Sequence, residues 1–117
     1  MTTNFMERKV YFPGQKIFSE GEEGARAYLV EKGQVEISKG TEGNIKILGT
    51  VSEGGIFGEM ALIDNSSRMA TATAVRETTL ILITQAVFQE KLKKTDPFIR
   101  GLLNIFVRNI RNLSQSK

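Results

Sequence analysis

The sequence predicts a mainly-β domain, a sandwich, roll or barrel, with helices at its C-terminal end. Three observations predict it. Between Val10 and Thr84, apolar residues recur in short runs of period two. Ten of the eleven glycines lie before residue 60, mostly at the breaks between those runs. After Thr84 the apolar spacing becomes helical and glycine almost disappears. Short strands joined by tight turns make such an architecture.

Lys16–Phe18, Ala27–Val30, Val35–Ser38, Ile45–Ile47, Ala70–Val75 and Leu80–Ile83 are the strand candidates. The last run is apolar throughout, as a strand covered on both faces would be. Gly40–Gly43 separates two of these runs and predicts a hairpin loop. Phe12-Pro13-Gly14-Gln15 sets proline before glycine, the pattern of a type II turn. One helix is predicted over about 85–94, with Val87, Phe88 and Leu92 on one face. Thr95-Asp96-Pro97 then reads as a stop and restart, Asp96 capping a second helix over about 97–113. Nine apolar residues of that helix, from Phe98 to Leu113, cover an arc of roughly 200°, about twice what packing on one surface needs. It is expected to have two apolar partners, one of them the body of its own domain.

A chain of 117 residues and 13.0 kDa fits one domain, residues 1–117, with the β-rich part over about 10–84. It contains no histidine and no cysteine. A transition-metal site would have to be carboxylate-only, and Ser-His-Asp and Cys-His nucleophiles are excluded. No enzyme, metal or cofactor is expected. The chain has no run of apolar residues long enough to span a bilayer and no apolar stretch at its start, so a cytoplasmic location is expected. Residues 1–90 carry a net charge of −3 and residues 91–117 a net of +6. A solvated basic helix face explains that asymmetry, and direct nucleic-acid binding is not expected.

The chemistry concentrates in Gly54-Gly55-Ile56-Phe57-Gly58-Glu59-Met60-Ala61-Leu62-Ile63 and the following segment to Ala72. Its glycines allow close backbone approach to a ligand. Glu59–Ile63 has the composition of one helical turn, whose free N–H groups favour an anion. Arg68 follows at the entrance of a strand whose alanines, Ala70, Ala72 and Ala74, leave space on one face. An arginine beside that space suits a phosphate. Glu59 would repel one, but fits a sugar hydroxyl on the same ligand. The alternative for Glu59 is a salt bridge to Arg68 that closes the site. Arg68 also has Asp64 within sequence reach.

Phe57-Gly58-Glu59-Met60-Ala61-Leu62, then Arg68-x-Ala70-Thr71, resembles the phosphate-binding cassette of the cyclic nucleotide-binding domain family. So do Phe12-Pro13-Gly14-Gln15-x-Ile17-Phe18-x-Glu20-Gly21-Glu22-x-Gly24 and Tyr28-x-Val30-x-x-Gly33-x-Val35 upstream. The resemblance covers roughly residues 10–113. It implies an eight-stranded antiparallel jelly roll (a double-stranded β-helix) with a short N-terminal helical segment and two C-terminal helices. It further implies that Arg68 and the backbone N–H groups of Met69 and Ala61 bind a cyclic phosphate, and that Glu59 and Gly58 meet the ribose. Ile37, Leu48, Met60 and Ala72 would surround the base end of the ligand, and the C-terminal helices would reposition on binding. Two residues depart from the family pattern: Met69 stands where a small residue is usual, and Ser67 where proline is. Guanine-selective members tend to carry a hydroxyl beside the arginine, and the Met69 thioether is only a weak acceptor. Cyclic AMP is therefore expected in preference to cyclic GMP. The apolar face of the last helix (Phe98, Leu102, Phe106, Ile110) would serve a homodimer or a regulated protein partner. The competing reading is a ligand-free roll acting as an interaction or dimerisation module. A cupin-like enzyme on a similar roll is disfavoured by the lack of histidine.

Overall fold

The computed structural model describes residues 7–60, residue 62 and residues 67–115. Eight strands form two four-stranded antiparallel sheets: β1 (Arg8–Tyr11), β2 (Lys16–Phe18), β3 (Ala27–Lys32), β4 (Gln34–Lys39), β5 (Lys46–Ser52), β6 (Ile56–Phe57), β7 (Thr71–Ala74) and β8 (Thr78–Ile83). One sheet runs β1-β8-β3-β6 and the other β2-β7-β4-β5. Consecutive strands repeatedly fall in opposite sheets, the jelly-roll arrangement that the resemblance implied. An N-terminal helical segment would lie on residues 1–6, outside the described residues.

Each sheet turns one face inward. Tyr11, Tyr28, Val30, Phe57, Leu80 and Leu82 from the first meet Phe18, Val35, Ala72 and Ala74 from the second. β8 alternates buried and half-buried residues and is not covered on both faces throughout. Its solvent-side Ile81 is only half-buried between β1 and β3. β1 and β6 went unpredicted because four and two residues are too few to display a period. β6 is a strand only by virtue of pairing with Tyr28 and Leu29.

The predicted turns are present. Gln15 donates its N–H to Phe12 O at 2.9 Å while Gly14 has φ 86°, the left-handed position that a type II turn demands after proline. The loop from Gly40 joins β4 to β5, with Gly40 and Gly43 both at positive φ. β5 begins one residue later than expected and runs further, to Ser52, because β4 offers it a full-length partner.

Two helices close the chain, α1 (Gln85–Lys93) and α2 (Pro97–Gln115). Thr84 caps the first by accepting from Val87 N, and Asp96 caps the second by accepting from Phe98 N at 2.8 Å. The expectation that α2 packs on its own domain is not met. Phe98, Ile105, Phe106, Ile110 and Leu113 are all exposed, and Leu102 is half-buried.

Candidate functional site: a buried cation held by two loops

Arg68 enters the body of the domain where the backbone before β7 is pinned to the β2–β3 loop. Its N–H donates to Glu22 O at 2.9 Å, and its carbonyl accepts from Gly21 N at 2.8 Å. These bonds turn the side chain inward, where it is 6% exposed. Nη1 donates to Gly58 O at 3.1 Å, and Nη2 donates to Arg26 O at 2.9 Å. The guanidinium carbon lies 4.1 Å from the centre of the Phe18 ring. Phe18 belongs in turn to an aromatic cluster with Tyr28 and Phe57, at centroid distances of 5.9 Å.

Among the described residues, no carboxylate forms an ion pair with this cation. The ion pair found among the described residues joins Arg8 to Glu31, on the surface. Nε of Arg68 is buried and has no hydrogen-bond partner among the described residues. Burial pushes the Arg68 guanidinium below the usual arginine range, with Tyr28 and Glu22 acting the other way. Arginine still remains charged at any working pH. Buried charges and donors are normally paired, and those that are not call for an explanation.

Beside Arg68 lies a cavity of about 210 Å³ lined by Phe18, Ile37, Ile56, Phe57, Gly58, Glu59, Met60, Arg68, Met69 and Ala70. Gly58 contributes through its conformation: at φ 76° it presents its carbonyl to Arg68 and no side chain to the cavity. Glu59 is exposed at the rim. Leu62 N donates to Glu59 O at 3.1 Å, closing one tight turn with Leu62 buried beneath it. Among the described residues, no three acidic side chains gather to hold a metal ion.

The family model for the cyclic nucleotide-binding domain matches residues 8–95. The chain belongs to this family. It is 29% identical over 115 residues to the cyclic AMP receptor protein of Thermus thermophilus, covering 95% of this chain and 52% of that one. It is 34% identical over 73 residues to a cAMP-dependent protein kinase regulatory subunit of Mycosarcoma maydis, covering 62% of this chain and 14% of the subunit. The chain thus spans about half, or less, of the curated relatives it matches. Among solved structures, the EAL enzyme Bd1971 superposes in a cAMP-bound form with a TM-score of 0.84. Identity there is 34%, over 92% of this chain and 29% of that one. Its cGMP-bound form superposes with a TM-score of 0.85, also at 34% identity, covering 93% and 29%.

Six residues named from the cassette meet at the cavity: Arg68, Met69, Gly58, Glu59, Met60 and Ile37. Ala61 lies outside the described residues, as does Asp64. Two others sit elsewhere. Ala72 is fully buried in the core opposite Ile37. Leu48 is 52% exposed on β5 and does not line the cavity. The β4–β5 register slips between Ile37 and Ser38, so that Gly49 and Ile47 take the partners on β4 and Leu48 bulges between them. Of the three alanines expected to leave space, Ala70 alone borders the cavity, because Ala72 and Ala74 are packed against the other sheet. The salt bridge from Glu59 that would close the site is not formed.

Sequence reading missed the residues that hold Arg68 in place, namely Phe18, Gly24 and Arg26. Phe18 and Gly24 were visible inside the upstream motif. Their role was not, because they stand more than forty residues from Arg68 and reach it through β2 pairing with β7 and through the bonds of Gly21 and Glu22 to the Arg68 backbone.

Proposed function

We propose that this domain is a cyclic nucleotide sensor, with Arg68 as the partner of the cyclic phosphate. The observation that carries the reading is a buried arginine at the wall of a cavity, held by neutral carbonyls and, among the described residues, in no ion pair with a carboxylate. A fold keeps such a charge at a cost unless an anion compensates it. Family membership supplies the ligand class. The phosphate would also meet the N–H groups of Met69 and Ala61, the ribose would meet Glu59 beside Gly58, and Ile37 and Met60 would face the base. Leu48 and Ala72 could join that surface only if β5 shifted register or the core opened.

Cyclic AMP is the preferred ligand in this reading, because Met69 supplies no hydroxyl for a guanine. Relatives resolved with both nucleotides leave that preference resting on Met69 alone. On binding, α1 and α2 would change position, and the exposed apolar face of α2 (Phe98, Leu102, Phe106, Ile110) would carry the signal to a second copy or a regulated protein. Such a shift requires that the ligand bind one arrangement more tightly than the other. The role is regulatory and not catalytic.

Calorimetric titration tests the proposal. Wild type should bind cyclic AMP at micromolar concentration or below, more tightly than cyclic GMP. Arg68→Ala should cost about 2–5 kcal/mol of binding free energy, since it would leave a buried phosphate unpaired. Absence of heat and of thermal stabilisation with both nucleotides would refute the sensor. Equal affinity in wild type and Arg68→Ala would refute the assigned role.

A further inference from the structure

Two glycines touch the Arg68 guanidinium, and they are glycines for different reasons. Gly58 has φ 76°, a backbone conformation that disfavours any side chain. Gly24 is not among the positive-φ glycines, so its backbone accepts an L-residue without strain. What it lacks is room. A Cβ at Gly24 would stand 2.5 Å from Arg68 Nη2, 2.6 Å from Nε and 2.7 Å from Cζ. All three of these nearest atoms belong to the free end of one flexible side chain. The fold can therefore accommodate a methyl group there simply by displacing the guanidinium.

We infer that Gly24 is a positioning residue for the ligand-binding cation: its missing side chain is the slot that holds Arg68 flat against Phe18. The inference rests on the proposed role of Arg68 and deepens it. The cradle has four walls: the Phe18 ring, the Gly58 and Arg26 carbonyls, and the bare Cα of Gly24. All four are uncharged. They immobilise the cation in the free protein without neutralising it, which is how a fixed charge serves an incoming anion best. Three of the four come from β2 or the β2–β3 loop, so that loop sets affinity without touching the ligand.

The test compares wild type with Gly24→Ala and with Gly49→Ala. Gly49 is a fair control, because it too lacks a positive φ and has open space about it. Three quantities are read: cyclic AMP affinity, the melting temperature of the free protein, and solvent exchange of the Arg68 Nε–H in nitrogen–proton correlation spectra, assigned by its loss in Arg68→Lys. In wild type that Nε–H should be protected. Gly24→Ala should expose it to exchange and weaken cyclic AMP by about tenfold or more, while shifting Tm by less than about 4 °C. Gly49→Ala should match wild type in Tm and in Nε–H protection. Loss of affinity with the Nε–H still protected would overturn the inference, as would lost protection with unchanged affinity. A collapse of Tm in Gly24→Ala would overturn it too, by making Gly24 a glycine of the fold. If wild type binds no cyclic nucleotide, the sensor reading fails on its own, and protection of the Nε–H still decides whether Gly24 positions Arg68.

Discussion

Replacing Arg68 with methionine separates what the arginine does for the fold from what it does for a ligand. In the free protein the guanidinium has two carbonyl acceptors, at 3.1 and 2.9 Å, and the face of Phe18 at 4.1 Å. Charge-assisted hydrogen bonds contribute about 1.5–3 kcal/mol each, and a desolvated cation–π contact about 2 kcal/mol. Against these stands a guanidinium taken from water with no ion pair to a carboxylate among the described residues, a penalty of several kcal/mol, and a buried Nε–H without a partner among them, which costs about 1–3 kcal/mol more. Methionine keeps apolar contact with Phe18 and removes both penalties, while leaving two carbonyls without donors. The opposing terms nearly cancel. Arg68→Met should therefore change the stability of the free protein by less than about 2 kcal/mol in either direction. The response to ligand should change far more. At a cyclic AMP concentration of about 100 times the dissociation constant, wild type gains about 2.7 kcal/mol, equivalent to roughly 10 °C in Tm for a domain of this size. The variant should gain almost nothing. Thermal melts followed by circular dichroism, with and without cyclic AMP, measure both effects. A loss above about 4 kcal/mol in the free variant would make Arg68 a structural residue, and an undiminished rise with ligand would remove it from the site.

Burial raises the phenol pKa values of Tyr28 and Tyr11, with Arg68 and Arg26 acting in opposition. The unfolded chain then loses those protons first as pH climbs past about 10, so the stability they contribute is complete below that pH and falls as it rises towards the folded values. Denaturant midpoints should drop on the alkaline side, and Tyr28→Phe should flatten the slope. Gly33→Ala should be severely destabilising, by more than about 3 kcal/mol. Gly33 has φ 103°, and a Cβ there would meet Glu77 O and Thr78 Cα, both at 2.7 Å, which are backbone atoms that cannot yield. Urea denaturation compared with Gly49→Ala measures it. Phe106→Glu or Ile110→Glu should lower the light-scattering mass if a second copy covers the exposed face of α2. A wild-type mass already equal to one chain would refute that cover.

Most of the roll was legible because its signals are local. Proline followed by glycine at residues 13 and 14 is a turn whatever surrounds it, and the alternation of Val35–Ser38 and Ala70–Val75 declares strands with one buried face. Asp96 and Pro97 set the start of a helix by capping chemistry alone. Three readings went astray for one reason. The exposure of Leu48 depends on a bulge in its pairing with β4, the burial of Ala72 on the opposite sheet, and the exposure of α2 on which surfaces the rest of the fold brings to it. None of these can be written as a spacing along the chain.

The sequence by itself determined that this is a mainly-β domain with two helices after it, without imidazole or thiol chemistry. Those properties follow from residue types and short-range periodicity. Only the tertiary structure decided the electrical state of Arg68. Whether it met Glu59, another carboxylate or none depended on which loops closed around it. Pairing of β2 with β7 brings Phe18, Gly24 and the Arg26 carbonyl to a residue more than forty positions away. The hydrogen bonds and ring contact that hold the arginine among the described residues come from neutral groups. Long-range pairing is fixed by the summed burial of both sheets, and that sum is a property of the folded whole.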